Sequence, residues 1–541
     1  MTDDAMAHLT PAQRELVQLW LESSAQDDPA PPPYAAPATP HERLLAEIWQ
    51  EVLEQEPIGV DDDYFRLGGD SITAIVVIAK AQAAGLDLTT QDLLGLRTIR
   101  KIAEAVTAFA APATFTEDGR LTPMQQGMLF DILSEPDRAP YVVQVSARLD
   151  GDIDAEELTA ALSAVVGGHR ALRMSIRSGE AGPHAVFHDA VRVPVETLDL
   201  RALPPAEQRA QVEDYLARDR ERGFDLGTPP LLRLGLLLLG QGSCRLVLTH
   251  HHLLLDGWSQ QIVLRDFLSV YDGAAFTPAA PAKVVHTQAD SRYWRERLAG
   301  FTPGRTVPGR TGPATYTTVV QTLPEELARG LTALARRCGV TVPALLYGGW
   351  ALMVAELAGR RDVAFGVTVS GRSSETDAVG MFINTLPLRI QVDRREPLLP
   401  WLSRVHGQHT DLLAAQHMSL PEIARCLPVP GPARDLFDTI VVVENFPQPV
   451  REGHASQRLR ISEVTTHIVE GYPLVLEVNT ASPVRLALRV DTAANEEVLA
   501  RFVRYLRRLC AGVDERTTVG EVAEAMGRGV TSVPRQRVGP S

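Results

Sequence analysis

Three consecutive histidines followed by an acid and a glycine form the densest chemistry in the chain, within Leu246-Val247-Leu248-Thr249-His250-His251-His252-Leu253-Leu254-Leu255-Asp256-Gly257-Trp258-Ser259. Histidine is the side chain suited to moving a proton near neutral pH, and a nearby carboxylate can fix its ring. The apolar, β-prone run before the histidines predicts a strand. Asp256-Gly257 predicts a turn, and the spacing of Val263, Leu264, Phe267 and Leu268 predicts a helix after it. A strand that feeds polar groups into a turn before a helix is a common place for catalysis. Two other readings use the same residues. As metal ligands, His250 and His251 would point to opposite sides of a strand, and no cysteine or carboxylate cluster completes a site, so no metal is expected. As core histidines, one or more of the three serve packing alone.

The second candidate is Ser71, in Phe65-Arg66-Leu67-Gly68-Gly69-Asp70-Ser71-Ile72. Paired glycines give a turn, and Ile72, Ile75, Val76 and Ile78 begin an apolar periodicity, so a helix is predicted to start at or near Ser71 and run to about Ala84. A serine there is exposed, and a helix N-terminus would stabilise a phosphate placed on it. The structural alternative makes Asp70 or Ser71 an N-cap and nothing more.

These candidates sit in separate units. Residues 28–40 hold Pro29, Pro31, Pro32, Pro33, Pro37 and Pro40, a stiff spacer. Ala, Thr and Pro replace periodic sequence again from Ala108 to Arg120. The expected divisions are an N-terminal helix in 1–28, a Pro-rich linker 29–39, a small domain 40–108, a linker 109–119, a large domain 120–528 and a flexible tail 529–541. In the small domain Leu44, Leu45, Ile48, Trp49, Val52 and Leu53 recur at helical spacing with Glu42, Glu47 and Glu51 outside. Thr10-Pro11, Thr39-Pro40 and Thr122-Pro123, each with Gln or Glu two residues after the proline, predict three capped helix starts.

With 541 residues, 45% hydrophobic and 22% charged, the chain is too long for one core and ordinary for a globular protein. The formal charge of −14 argues against a nucleic-acid or anionic-membrane partner, since both need a basic face. Cys244, Cys338, Cys426 and Cys510 form no CxxC pair and read as isolated thiols in a reducing compartment. The N-terminus lacks the apolar segment of a secretory signal, and Leu231 to Leu239 is too short to span a bilayer, so a cytoplasmic protein is expected.

The Phe65–Ile72 segment resembles the modification motif of peptidyl carrier domains of nonribosomal peptide synthetases. The resemblance implies a small all-α four-helix bundle, with 4′-phosphopantetheine attached to Ser71 and an aminoacyl or peptidyl thioester on its thiol. The large domain is similar to the condensation domain of the same synthetases, through motifs in the family's order. These are Leu121-Thr122-Pro123-Met124-Gln125-Gln126-Gly127-Met128-Leu129-Phe130, Phe224-Asp225-Leu226, His251-His252-Leu253-Leu254-Leu255-Asp256-Gly257 and Tyr293-Trp294-Arg295. Val369-Ser370-Gly371-Arg372, Val379 to Pro387 and Leu436 to Phe446 follow. This resemblance implies an α+β domain of two chloramphenicol-acetyltransferase-like lobes, about 120–290 and about 315–528, with a tunnel between them.

On the family pattern His252 is the catalytic position, beside His251. Asp256 pairs with a basic residue that the pattern does not identify, and Gly257 keeps the backbone close to substrate. Trp258, Ser259 and Asn384 fall on the substrate side, Asn384 on the segment that closes the site. One motif departs: Gly168-His169-Arg170-Ala171-Leu172-Arg173 has glycine where the family has its leading arginine and Arg170 at an acidic position.

The implied reaction is attack of an acceptor's α-amino nitrogen on a donor thioester, with no ATP or metal in that step. The implied partners are a phosphopantetheinyl transferase, an adenylation enzyme loading the carrier in trans, and a downstream acceptor carrier or free amine. The helix in 1–28, with Leu16, Leu19 and Trp20, is either a docking element for such a partner or packed on its own domain. Two other functions share these motifs: an epimerisation domain, which also follows a carrier of the Gly68-Gly69-Asp70-Ser71 type, and a recruitment platform that forms no bond. Intact His252 and Asp256, with the segment 380–385 and Trp258, favour condensation.

Overall fold

The computed structural model describes residues 34–69, 71–84, 86, 88, 90–105, 119–134, 141–179, 182–279, 291–306, 316–372, 377–428, 436–444, 456–468, 471–481, 483–491, 497–527 and 536–537. The expected helix in 1–28 falls outside these residues, as do most of the linkers and tail.

The small unit begins with α1 (Pro40–Leu53). Thr39 Oγ1 accepts from the Glu42 amide at 3.1 Å and the Glu42 carboxylate accepts from the Thr39 amide at 2.8 Å, the reciprocal cap that the Thr-Pro pattern predicts. Helices α2 (Ser71–Ala83), α3 (Thr90–Leu96) and α4 (Ile99–Ala105) complete a four-helix bundle around Leu45, Trp49, Tyr64, Val77, Ile78, Leu93 and Ile102. Trp49 meets Tyr64 edge to face at 5.0 Å. That ring also explains Gly69, because a Cβ there would lie 2.4 Å from it. Gly68 takes φ +91°, a left-handed turn that glycine enters without strain.

The large unit opens with α5 (Pro123–Ser134), capped by Thr122 and Gln125 as predicted. Its first lobe contains β1 (Val142–Gly151), α6 (Ala155–Gly168), β2 (Met174–Gly179), β3 (Gly182–Phe187), β4 (Val195–Asp199), α7 (Pro205–Glu221), β5 (Leu232–Gly240), β6 (Ser243–His251) and α8 (Gly257–Tyr271). Strand alternation decides the layers. Leu234, Leu236, Leu246 and Leu248 share a core with α6 and α8, while Leu237 and Val247 face Tyr215 of α7.

The second lobe follows with α9 (Ser291–Arg297), β7 (Tyr316–Thr322), α10 (Glu325–Cys338), α11 (Val342–Leu357), β8 (Asp362–Val369), β9 (Asn384–Gln391), α12 (Leu398–Ala414), α13 (Leu420–Ala424) and β10 (Thr439–Glu444). Then come β11 (Leu459–Ile468), β12 (Leu474–Asn479), β13 (Arg485–Asp491), α14 (Glu497–Cys510), α15 (Val519–Gly527) and β14 (Gln536–Arg537). The sheet order is β14–β7–β13–β12–β10–β8–β9, with β10 parallel to both neighbours. Helix α11 is buried through Pro343 to Val354, so it forms the centre of this lobe.

The lobes exchange elements. The first sheet has the order β11–β1–β6–β5–β4, so β11 lies far beyond the expected second-lobe boundary in sequence yet pairs antiparallel with β1, Val143 opposite Ile468. Arg458, just before β11, is clamped by Asp152 at 2.6 Å and Glu157 at 2.7 Å, over the Tyr271 ring. In the other direction, the segment between β8 and β9 sends Val379 and Met381 into the first lobe's core. Among the described residues no single helix is long and apolar enough to cross a membrane.

Candidate active site

Strand β6 ends at His251, and the chain turns through His252 to Asp256 before α8 begins. The three histidines have three fates. His250 is fully enclosed, its Nε2 3.2 Å from Gln260 Oε1, and burial pulls its pKa down to about 4. His251 points toward Phe224 and accepts the Leu253 amide at Nδ1, 3.1 Å; burial lowers it to about 3. His251 is expected in the catalytic set with His252, Asp256 and Gly257, but its ring serves the turn and the core and does not line the cavity.

His252 lines a cavity of about 150 Å³ between the lobes, together with Met124, Tyr141, Gly257, Trp258 and Tyr347. Its Nδ1 lies 2.8 Å from the carbonyl of Leu255. A carbonyl can only accept, so Nδ1 carries a proton, and in the neutral tautomer this leaves the lone pair on Nε2. The sequence suggested a carboxylate for orienting this ring; a backbone carbonyl three residues on does so instead. The amide of His252 bonds Tyr141 O at 2.8 Å and fixes the ring's base.

Asp256 is buried and acts as a joint. Its Oδ1 accepts from the Ser259 amide at 2.7 Å, capping α8, and from Arg372 Nη2 at 3.2 Å; Oδ2 accepts from the Phe382 amide at 3.0 Å. Arg372 is therefore the basic partner that sequence motifs left unassigned. Its guanidinium also donates to Ser259 Oγ at 2.7 Å and to Ala378 O at 2.9 Å, and stands 4.2 Å from the Phe382 ring centroid. Ser259, expected near substrate, has its hydroxyl held by Arg372 and by both backbone groups of Gly380, so it locks the lobes together. Asn384, also expected near substrate, donates to the carbonyls of Gln416 and Met418 at 2.7 and 2.8 Å. The neighbouring Thr385 lines the His252 cavity; Asn384 lines a smaller one beside α5.

The motif that departs from the family pattern packs within the first lobe and does not line the His252 cavity. His169 Nε2 pairs with Asp266 of α8 at 3.0 Å, Arg170 lies 4.0 Å from the Phe187 ring centroid, and Arg173 donates to Asp189 O at 2.8 Å. Glycine at 168 suits the neighbouring ring, since a Cβ would sit 2.4 Å from Phe276. Sequence reasoning missed Tyr347, His409, Glu444 and Glu477, which also line the cavity. Tyr347, His409 and Glu477 lie on helices and strands without a motif, while Glu444 lies in the Leu436–Phe446 motif with nothing in the sequence to mark it as facing a cavity; only the tertiary fold gathers the four.

The carrier-like bundle faces the second lobe beside this cavity. Phe65 meets His406 of α12 edge to face at 4.8 Å, and Arg97 Nη2 donates to Gly339 O at 2.7 Å. A second cavity, about 1080 Å³, runs between Phe65–Gly69 and helices α10 and α11. Pro343 lines both cavities, so the passage from the Gly68-Gly69 turn abuts the His252 cavity there. Helix α2 begins at Ser71; the serine side chain lies outside the described residues. Among the described residues no group of three potential metal ligands gathers.

The condensation-domain family matches residues 117–519, and the phosphopantetheine attachment site family matches residues 43–106. This chain belongs to the condensation-domain family of nonribosomal peptide synthetases, with a carrier domain ahead of it. It is 35% identical over 418 residues to a linear gramicidin synthase of Brevibacillus parabrevis, covering 72% of this chain and 8% of that one. It is 30% identical over 445 residues to phosphinothricin tripeptide synthetase PhsB of Streptomyces viridochromogenes, covering 74% and 37%. The chain thus spans well under half the length of these relatives. Among solved structures it is similar to the first condensation domain of the calcium-dependent antibiotic synthetase, with TM-score 0.60, 22% identity, and 74% and 97% coverage. A four-domain nonribosomal peptide synthetase gives TM-score 0.63 at 18% identity, covering 74% and 33%. The two-lobed fold of the condensation domain and the covalent phosphopantetheine of the carrier follow from these matches.

The cavity beside the carrier offers an apolar lining for such an arm. It starts at the Gly68-Gly69 turn, whose residues bear no side chains, and runs along apolar residues of α10 and α11 such as Leu331, Val342 and Leu346.

Proposed function

We propose that Ser71 holds the donor as a thioester on its pantetheine arm and that His252 serves amide-bond formation with an acceptor amine. The observation that carries this reading is the bond from His252 Nδ1–H to Leu255 O, which in the neutral tautomer leaves the Nε2 lone pair available on a side chain that lines the cavity. The arm supplies an acyl carbon activated by its sulfur. The acceptor nitrogen attacks that carbon; the new C–N bond forms as the C–S bond breaks, and the amine proton passes by way of Nε2 to the departing sulfur. Both substrates reach one enclosed ring, and orienting two tethered reactants supplies several kcal/mol of the barrier. In this reading backbone N–H groups near Gly257, at the start of α8, stabilise the negative charge that develops on the carbonyl oxygen. Nothing in this step consumes ATP or needs a metal.

A phosphopantetheinyl transferase modifies Ser71, an adenylation enzyme acting in trans loads it, and a downstream carrier or free amine is the acceptor. These partners suit a cytoplasmic assembly.

The test begins with intact-mass measurement of the pantetheine on Ser71. The holo protein is then charged with a peptidyl thioester and mixed with an aminoacyl carrier. Transfer to the acceptor is expected, and His252→Ala should lower its rate by about 10²–10⁴-fold with the fold intact. A His252→Ala protein of full rate overturns the assignment. Inversion at the donor's α-carbon without transfer would mark an epimerase, and neither outcome a recruitment platform.

A further inference from the structure

Beside the turn that leads to Ser71 stands Arg336, in the last turn of α10. A Cβ built on Gly68 would lie 2.3 Å from Nη2 of Arg336, so the guanidinium of α10 occupies the space that a side chain at this turn would fill. Helix α2 begins at Ser71, three residues on, so their α-carbons lie no more than about 11 Å apart. Among the described residues Arg336 has no carboxylate partner. Nearby, Arg97 pairs with Asp63 at 2.9 Å, and Arg337 donates to Val513 O at 3.3 Å. Glu325, Asp62, Asp63, Arg66 and Arg329 also line the cavity at this mouth.

We infer that Arg336 binds the phosphodiester linking the pantetheine arm to Ser71 in the docked carrier and thereby aims the arm into the passage toward His252. A guanidinium matches the two free oxygens of a phosphodiester in bidentate fashion, which a point-like ammonium does not. Arg336 is thus a positioning residue: it touches neither the thioester carbon nor the amine. The glycine at 68 acquires a second reason, since any side chain there would displace the guanidinium. The inference rests on the reading of Ser71 as the attachment site.

The test compares the full-length holo protein with Arg336→Gln and Arg336→Lys. Phosphorus NMR of the holo form should show the phosphodiester resonance displaced in Arg336→Gln, with a narrower line from a freed arm, and an intermediate position in Arg336→Lys. Transfer from Ser71 should fall about three- to tenfold in Arg336→Gln, while transfer from a small soluble thioester lacking phosphate stays unchanged. Hydrogen exchange in α3 and α12 of the unmodified protein reports docking without the phosphate, and it should match wild type in Arg336→Gln. An unmoved phosphorus resonance overturns the inference. So does lost protection in the unmodified variant, which would make Arg336 a docking prop. Failure of Ser71 to accept pantetheine at all would instead overturn the parent reading.

Discussion

The His252 ring is oriented by one carbonyl, and the buried Asp256 is paired with one guanidinium. Asp256 and Arg372 are both almost wholly enclosed, and removing one partner of such a pair leaves an uncompensated buried charge that costs about 3–5 kcal/mol. Asp256→Ala and Arg372→Met should each destabilise by an amount of that order, and the double variant by clearly less than their sum. Urea unfolding of the four proteins measures the coupling, and additive losses would show that the pair is not what binds the lobes. The need for a basic partner to Asp256 was legible only through the resemblance to the family pattern. Its identity was not, since Arg372 lies 116 residues away and only the fold joins them. Ser259 and Asn384 misled for a related reason: a motif places a residue near a site without saying which way its polar atoms turn.

The elements that close the site are the ones that leave their own lobe. Arg372 and the stretch from Ala378 to Phe382 reach across to Asp256, and their geometry depends on one close approach. Gly371 has φ +60°, and a Cβ there would sit 1.8 Å from the Phe382 carbonyl oxygen. That is backbone against backbone, so Gly371→Ala must move the segment. Displacing Phe382 removes its amide from Asp256 Oδ2. Gly371→Ala should therefore lower transfer at least about tenfold while Ser71 modification proceeds at the wild-type rate, the response of a site held about 1 Å out of place. A variant with wild-type transfer would mean that the cavity tolerates a loose closure. Element types were readable from periodicity: β6 and α8 flank the histidines as expected, and the Thr-Pro caps start α1 and α5. The destination of β11 was not, because period-two alternation tells which faces of a strand are buried and nothing about which sheet receives it.

Across the whole molecule, several histidines are buried, and this sets the response to acid. His250 and His406 are pulled down to about 4, and His251 and His409 to about 3, in each case chiefly by burial; the nearby charge of Arg97 adds to the effect at His406. Their ordinary value is 6.5, so between pH 6.5 and about 4 the unfolded chain binds protons that the folded protein excludes. Stability contributed by the neutral rings is complete above pH 6.5 and drains away as pH falls through the folded values. By pH 5 each ring accounts for a loss of about 2 kcal/mol. The loss has two addresses: His250 and His251 support the first lobe, whereas His406 and His409 lie on α12, where His406 packs against Phe65 of the carrier. Urea midpoints should be level from pH 8 to 6.5 and then fall steeply, well before most carboxylates titrate. His409→Phe, which keeps a ring against Tyr347 and removes the titrating nitrogen, should flatten that fall. Midpoints that stay level down to pH 5 would mean that protons reach these rings without unfolding, and that the carrier's seat on α12 opens far more readily than its packing suggests.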